Sequence, residues 1–209
     1  MVSMAKARLG RWFWPAAVVA ALGLDYLVGA ALLHTPPEQW SAVRRTYARL
    51  AHGAGQGYML VLLAGVLVAL AQVVQRRRLL SAGRWLVGIV LMTGFWAQFL
   101  KHLVGRPRPR IWAQFDTVLP LGPTFRASWD SFPSGHAMTV FAAVPLLEAL
   151  CPAVGPLWLI LAVAIALGRV IGCDHFPTDV VVGAWLGLTI GRYARGRWQA
   201  EVEGCDEHV

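Results

Sequence analysis

The sequence predicts an all-α fold: a bundle of six transmembrane helices, with an outer interfacial helix between the first and second spans. Three observations predict it. Of the 209 residues, 57% are hydrophobic and 14% are charged, whereas soluble domains are about 25% charged. The apolar residues form long runs, each close to the roughly 20 residues that a membrane span needs. Arginine and lysine residues separate these runs, as they do in the loops of membrane proteins.

Composition also excludes several other classes of protein. The hydrophobic content is too high for a disordered chain, and three cysteines in 209 residues do not make a disulfide scaffold. The net charge of +8 is spread between apolar runs rather than gathered in one patch. We therefore expect the bilayer, and no nucleic acid, as the partner of these basic residues.

The six predicted spans are joined by short polar connections, apart from one long connection after the third. Their predicted bounds are Trp12–Leu33, Gly57–Val74, Trp85–Leu103, His136–Cys151, Leu157–Gly172 and Pro177–Gly191. Six spans use about 120 positions, so residues 1–209 are expected to form a single membrane-embedded domain. The first run is longer than the 7–15-residue apolar region of a signal peptide, so we expect it to be retained as an anchor.

The segment between the first two spans has apolar residues at helical spacing and arginines on its other faces. This pattern predicts an amphipathic helix in the outer interface, and a solvated loop is the alternative. The apolar residues are Trp40, Val43, Tyr47 and Leu50. A small excess of basic residues on one side predicts that both termini are cytoplasmic and that the long connection faces outward.

Three polar clusters fall at consecutive outer ends of the predicted spans. One side of the membrane is thus expected to collect three cations, two histidines, a carboxylate and a Ser-Gly turn at a helix start. The clusters are Lys101-x6-Arg108-Pro109 after span 3, Pro133-Ser134-Gly135-His136 before span 4, and Arg169-x5-His175-x3-Asp179 between spans 5 and 6.

The residue types in these clusters suit phosphate chemistry. Lys101, Arg108 and Arg169 make a clamp for a dianion, since guanidinium planes match phosphate geometry. Ser134 and Gly135 precede a helix, where backbone N–H groups point at anions. Each cluster alone also has an ordinary structural interpretation, such as a snorkelling lysine or a helix start. Their joint occurrence favours a phosphate site.

Two histidines and an acid suggest a nucleophile, a proton donor and an orienting group. Pro177 is well placed to begin the last helix, which puts Asp179 in its first turn. Asp179 would then accept a hydrogen bond from one ring nitrogen of His175 and fix its tautomer. The other ring nitrogen of His175 would be left to attack.

With these motifs in place, the chain resembles the type 2 phosphatidic acid phosphatase (PAP2) superfamily, also called the lipid phosphate phosphatases. The family signature is K-x6-R-P, P-S-G-H and S-R-x5-H-x3-D, and the resemblance covers Lys101 to Gly191 by motif. One position departs from it, because Gly168 stands where the family often has serine. That residue usually contributes phosphate binding or packing, so the change puts one contact in doubt.

The resemblance implies a role for each matching residue. It implies that His175 is the nucleophile that forms a phosphohistidine, that Asp179 orients it, and that His136 is the general acid. It also implies no metal and no cofactor. The residues that it implies for phosphate holding are Lys101, Arg108, Ser134, Gly135 and Arg169.

The resemblance further implies a lipid phosphatase of the bacterial inner membrane whose active site faces the periplasm. Undecaprenyl pyrophosphate is the leading substrate. The alternatives within the family are a lipid A 1-phosphatase and a phosphatidylglycerophosphate or phosphatidate phosphatase. A lipid phosphotransferase and a non-catalytic lipid transporter are the alternatives of other classes.

Several residues outside the motifs carry predictions of their own. Glycines at every fourth position of span 6, namely Gly183, Gly187 and Gly191, predict a close helix-packing stripe. Asp25, an acid inside span 1, has two open interpretations: a hydrogen bond inside the bundle or a role in the substrate path. Cys173 is expected to be a small packing residue. Three arginines are open between headgroup attraction and a solvated loop: Arg106, Arg110 and Arg126.

Overall fold

Helices are the only regular elements in the part of the chain that the computed structural model describes. It describes residues 2–33, 39, 41–111, 122–126 and 128–206, with side chains throughout except at residues 2–13, 29, 31–33 and 205–206. A short 3-10 turn, Pro152–Val154, precedes the sixth helix. The helices are α1 (Val2–Leu33), α2 (Ala42–Ala54), α3 (Gly57–Val74), α4 (Arg77–Val104), α5 (Gly135–Leu150), α6 (Gly155–Ile171) and α7 (Pro177–Asp206).

Each predicted span matches one of these helices, with the fourth and fifth spans running one residue past the helix end, but six membrane crossings are not confirmed. Among the described residues, three helices are long and apolar enough to cross a bilayer, at Gly57–Val74, Arg77–Ile111 and Pro152–Ile171. The apolar segments Trp14–Val28 and Gly135–Leu150 are shorter. The 16 residues of α5 reach about 24 Å, less than the roughly 30 Å hydrocarbon core. The other three crossings stay predictions.

Three helices extend well beyond the predicted spans: α1, which begins at Val2 rather than Trp12, and α4 and α7, whose polar ends pack against each other. The fourth helix begins at Arg77 rather than Trp85, and the seventh continues to Asp206 rather than ending at Gly191. The indole N–H of Trp85 donates to Glu201 at 2.9 Å, which ties the start of α4 to the end of α7. These ends are therefore helical without being part of an apolar run.

The centre of the bundle is α5, which is buried along most of its length and contacts α4, α6 and α7. One core cluster joins α3, α4, α5 and α7, with Leu86, Leu146 and Trp198 fully buried in it. A second cluster joins α5 with α6 and α7. Trp198, in the last part of α7, is 1% exposed and packs inside the bundle.

The predicted glycine stripe is confirmed as the contact between α5 and α7. A Cβ atom added to Gly183, Gly187 or Gly191 would lie 2.2–2.6 Å from a backbone oxygen of α5. Real Cβ atoms do not approach an oxygen so closely. The two helices therefore meet backbone to backbone along three turns, and no larger residue fits between them.

The outer helices present large apolar side chains to their surroundings. Leu62 and Val66 on α3, Leu91 and Phe95 on α4, and Ile160 on α6 are each more than half exposed. In a soluble protein such a surface would be an aggregation liability. In a bilayer it is the surface that contacts lipid tails, and the chain is an integral membrane protein.

The predicted amphipathic helix exists as α2 and packs on α6. Its N-cap Ser41 accepts a hydrogen bond from the Arg44 backbone N–H at 3.2 Å. The Tyr47 hydroxyl donates to the Ala164 carbonyl of α6 at 2.5 Å, while Val43 and Leu50 are exposed. Trp40 lies outside the described residues, and the interfacial position of α2 stays a prediction.

Candidate active site

The first motif lies where α4 ends and the chain turns back. Gly105 ends the helix in the left-handed conformation, with φ of 58°, which glycine adopts without strain. The segment after it pairs with a later one: Arg108 N–H donates to the Ser128 carbonyl at 2.9 Å, and Ser131 N–H donates to the Arg106 carbonyl at 3.1 Å. This pairing carries residues 128–131 next to the motif.

Asp130 is the residue that this pairing brings to the two cations of the first motif. Arg108 donates from Nε and Nη2 to the two carboxylate oxygens of Asp130, both at 2.8 Å. Lys101 Nζ lies 3.7 Å from the same carboxylate. Hydrogen bonding to Arg108 lowers the pKa of Asp130 to about 2. Lys101 and Arg108 thus already converge on one oxyanion, in a geometry that suits a phosphoryl group.

The second motif forms the start of α5. Ser134 caps the helix, its hydroxyl accepting from Ala137 N–H at 3.5 Å, and its own N–H donates to the Asp179 carbonyl at 3.0 Å. The expectation that the Ser134 N–H points at an anion is therefore wrong, because that donor joins the second motif to the third. Gly135 and His136 occupy the first turn, where N–H groups have no acceptor within the helix.

His175, in the third motif, is buried in the loop between α6 and α7. Its Nδ1 lies 2.8 Å from the Ser131 carbonyl and 3.6 Å from Asp179 Oδ2. A carbonyl only accepts, so Nδ1 carries the proton and Nε2 keeps its lone pair. The hydrogen-bond acceptor is thus Ser131 rather than the expected Asp179. Burial lowers the pKa of His175 from its ordinary 6.5, which favours the neutral imidazole.

Asp179 is buried in the first turn of α7, where the sequence places it. Its carboxylate accepts from Arg106 Nη1 at 2.5 Å, from the Ser131 hydroxyl at 2.5 Å and from Phe176 N–H at 2.9 Å. Ser131 therefore donates to Asp179 and accepts from His175. Asp179 holds the loop that orients His175, in addition to lying near the ring itself.

Arg106 links Asp179 to the acid of α1. Its Nη2 donates to Asp25 Oδ2 at 2.7 Å, and Asp25 also accepts from the backbone N–H and hydroxyl of Thr178 at 2.9 and 2.7 Å. All these groups are buried. Of the two interpretations of Asp25, the structure supports the hydrogen bond inside the bundle. Both interpretations of Arg106, headgroup attraction and a solvated loop, are wrong.

Arg169 connects the third motif to α2. It is 2% exposed, donates from Nη1 to Nδ1 of His52 at 2.7 Å and pairs through Nη2 with Asp174 at 2.8 Å. Burial and the Arg169 charge lower the pKa of His52. Arg110, one of the arginines left open by the sequence, also forms an ion pair with Asp174. Arg126 is exposed.

Gly168 allows α2 to approach this closely. A Cβ at Gly168 would lie 2.1 Å from the Cβ of Ala51 on α2, so the serine that the family often carries here does not fit. Arg44 of α2 donates to the Ile171 carbonyl at 3.1 Å and to Cys173 Sγ at 3.3 Å. Cys173 is buried, which agrees with a packing role.

His136 lies between α2 and the third motif. Its ring lies against that of His52, tilted by 34° with centroids 5.1 Å apart. Its Nε2 is buried without a hydrogen-bond partner among the described residues. It is close enough to His175, Arg169 and Lys101 to interact with them electrostatically. The three motifs thus converge, as the sequence predicts.

Five residues of this site were not predicted from the sequence: Asp130, Ser131, Asp174, His52 and, in its buried role, Arg106. Asp174 directly precedes His175, which is a signal that could have been used. His52 lies two residues beyond Leu50, the last apolar position of the α2 pattern. Nothing in a single sequence distinguishes a buried Arg106 from the solvated arginines around it.

The comparisons with known proteins agree with this arrangement. Residues 82–201 match the family described as the PAP2 superfamily. The chain is 31% identical over 118 residues to a lipid A 1-phosphatase from Rhizobium etli, covering 54% of this chain and 51% of that protein. It is 38% identical over 99 residues to a decaprenylphosphoryl-5-phosphoribose phosphatase from Mycobacterium tuberculosis, covering 46% and 49%. The chain thus spans about half the length of the curated relatives it matches.

A solved structure shares the fold over most of its length. The PAP2-type phosphatidylglycerolphosphate phosphatase of Bacillus subtilis superposes with a TM-score of 0.66 at 20% identity, covering 90% of this chain and 93% of that one. At this identity the likeness shows the fold alone.

Proposed function

The chain belongs to the PAP2 superfamily, and from that premise we propose that it is a lipid phosphatase working through a phosphohistidine. The observation that carries the proposal is the hydrogen bond from His175 Nδ1 to the Ser131 carbonyl. It leaves Nε2 as the nitrogen with a lone pair, in a neutral ring. The imidazole is buried, oriented and neutral, with an unprotonated Nε2 beside three cations, so it is suited to attack phosphorus.

In the proposed first step, Nε2 of His175 forms a bond to phosphorus while the bond from phosphorus to the lipid oxygen breaks. His136 donates a proton to that leaving oxygen. Lys101, Arg108 and Arg169 stabilise charge on the remaining phosphoryl oxygens. A bound dianion also neutralises the cations around His136, which favours its protonated form before transfer.

In the second step, His136 accepts a proton from water, and the resulting hydroxide attacks the phosphohistidine. The bond from phosphorus to Nε2 breaks, and inorganic phosphate leaves. Ser131, Asp179 and Arg106 hold the His175 loop through both steps. We propose that no metal ion takes part, because the side-chain cations supply the charge that a metal would otherwise provide.

We propose a lipid substrate because the motifs lie beside helices whose apolar faces are exposed. A lipid tail can stay among these helices while its headgroup reaches the cations. Undecaprenyl pyrophosphate is our leading substrate. The relative from Mycobacterium tuberculosis supports a polyprenyl-linked phosphate, since its name gives a decaprenylphosphoryl substrate. The relative from Rhizobium etli favours the second candidate, lipid A 1-phosphate.

The distribution of Lys and Arg supports a topology with both termini in the cytoplasm and the active site outside the inner membrane. A reporter enzyme that folds only in the periplasm, fused after Val209, should be inactive. The same reporter inserted in the long connection after α4 should be active. The reverse pattern would refute this topology.

The test of the proposed reaction is a phosphate-release panel in detergent across undecaprenyl pyrophosphate, lipid A and phosphatidylglycerophosphate. We expect release to be abolished by His175→Asn and to survive a strong chelator. Release by His175→Asn at the unsubstituted rate would refute the nucleophile. Loss on chelation, restored by a divalent ion, would refute metal independence. A phosphotransferase would be indicated if loss of phosphate from the substrate required an added acceptor lipid. A transporter would be indicated if His175→Asn still moved lipid and no phosphate were released.

A further inference from the structure

Beyond the motif residues lies a cavity larger than a single phosphoryl group needs. Its volume is about 650 Å³, within the range of about 300–1,000 Å³ that holds small ligands. The motif residues Arg108 and Arg169 form part of its wall, together with Arg110. Helix α2 forms another part of the wall.

Three residues of α2 line this cavity at helical spacing. Arg45, Arg49 and His52 stand at positions i, i+4 and i+7, which places them on one face of the helix. Like charges four residues apart destabilise a helix, so the two arginines repel each other across one turn. An anion bound between them would relieve that repulsion.

The cavity as a whole carries an excess of positive charge. Five arginines line it, against one carboxylate, Asp174. That carboxylate already pairs with Arg169 and Arg110. Arg108 pairs with Asp130, which lies outside this lining. The five arginines therefore outnumber these two carboxylates, and the excess matches an anionic group in addition to the phosphoryl group that the motifs hold.

A buried donor indicates that a ligand reaches the end of the cavity where the motifs lie. The Arg169 side chain lines the cavity, is 2% exposed, and has no hydrogen-bond partner at Nε among the described residues. Buried donors of this kind normally have a partner. The position of α2 is fixed by Tyr47 and Arg44 against α6 and the loop after it, so its arginines face a cavity of defined width.

From this arrangement we propose that Arg45, Arg49 and His52 form a second anion subsite, which takes a further phosphate group of the lipid headgroup. The inference rests on the proposed function, because it places the group relative to the reacting phosphorus. The ring of His52 lies against that of His136, with centroids 5.1 Å apart, and His136 is the proposed donor to the leaving oxygen. The second group is therefore on the leaving-group side, as the lipid-linked phosphate of a diphosphate is. The structure then favours lipid diphosphates over monophosphates with the same tail.

The test compares farnesyl diphosphate with farnesyl monophosphate, two lipids that differ only in the second phosphate. Binding is measured on the full chain carrying His175→Asn, so that turnover does not interfere. We expect the diphosphate to bind at least about tenfold more tightly, a difference of about 1.4 kcal/mol. Adding Arg45→Gln and Arg49→Gln should reduce that ratio to below about threefold.

The matched control is the pair Arg76→Gln and Arg77→Gln, which removes the same charge from exposed positions. These lie at the opposite end of α4, about 36 Å from Lys101 along the helix. This pair should leave the ratio unchanged. A ratio that survives Arg45→Gln with Arg49→Gln, or affinities for both lipids that fall equally, would overturn the subsite. The single variants decide the same question if the double variant does not fold.

A parallel turnover assay, on chains that keep His175, separates this inference from the proposed function. Failure of the unsubstituted chain to release phosphate from either lipid would refute the reaction, while the binding ratio would still decide on the subsite. If both lipids are turned over but the binding ratio of diphosphate to monophosphate does not change when Arg45 and Arg49 are substituted, the subsite is refuted and the proposed reaction is not.

Discussion

Replacing Arg106 by alanine tests the buried network that supports His175, the proposed nucleophile. The substitution leaves the carboxylates of Asp25 and Asp179 buried without the guanidinium that neutralises both. Removing one partner of a buried ion pair costs about 3–5 kcal/mol. Solvent does not screen this pair, since the three side chains are at most 5% exposed. We expect a loss at the upper end of that range, because two carboxylates are affected.

The assay is thermal unfolding in detergent, followed by tryptophan fluorescence. At about 2–4 °C per kcal/mol for a chain of this size, the midpoint should fall by roughly 6–20 °C. Arg126→Ala, an exposed arginine of the same outer segment, is the control and should shift it by less than about 2 °C. Phosphate release should also be lost in Arg106→Ala at temperatures where the variant is folded, because the His175 loop is no longer held.

A double-mutant cycle makes the prediction sharper. Asp25→Ala should be clearly destabilising alone and much less so when Arg106 is already alanine, with a coupling of about 1–3 kcal/mol. Additive effects would show that the two residues do not interact in the folded protein. An Arg106→Ala midpoint within about 2 °C of the unsubstituted chain would refute the reasoning outright.

Three other predictions follow from the described contacts. The pKa of His175 is lowered in the folded protein, so below pH 6.5 the unfolded chain binds a proton that the folded chain does not. The free energy of unfolding should therefore fall as the pH drops below 6.5, by up to about 1.4 kcal/mol per pH unit. Unfolding midpoints measured at pH 7.5 and 5.5 should differ less in His175→Asn than in the unsubstituted chain. Gly168→Ser should lower the free energy of unfolding by about 1–3 kcal/mol, because the serine side chain overpacks against Ala51. Adding Ala51→Gly should restore that stability in unfolding assays, and a double variant as unstable as Gly168→Ser would argue against this contact. Asp130→Ala should raise the KM for phosphate release about tenfold with little change in kcat, because Arg108 loses the carboxylate that holds it in place. An unchanged KM would argue against Asp130 as a positioning residue for Arg108.

The sequence predicts the helices and the motif positions well, because both are local patterns. Apolar runs and the starts of α5 and α7 depend on neighbouring residues, so the positions of Ser134 and Asp179 at helix starts are correct. The ends of α4 and α7 were not predictable, since they depend on contacts such as Trp85 with Glu201. These residues are more than 100 positions apart in the chain.

The hydrogen-bond partners inside the site were harder to predict than its members. The sequence assigns the His175 ring nitrogen to Asp179, whereas a backbone carbonyl accepts its proton. Every residue has a backbone carbonyl, so a motif of residue types does not show which carbonyl accepts the His175 proton. The burial of Arg106 likewise depends on Asp25, an acid in α1 that no motif links to it.

The glycine stripe makes the contact between α5 and α7 rigid, whereas the lipid-facing helices around them can adjust. His136 lies in the first turn of α5, and His175 lies two residues before the start of α7. Main-chain contact, rather than adaptable side chains, therefore sets how the two rings are spaced. Changes in bilayer thickness or tail composition act first on the lipid-facing helices α3 and α6. The reacting groups can therefore keep their spacing while the surrounding membrane varies.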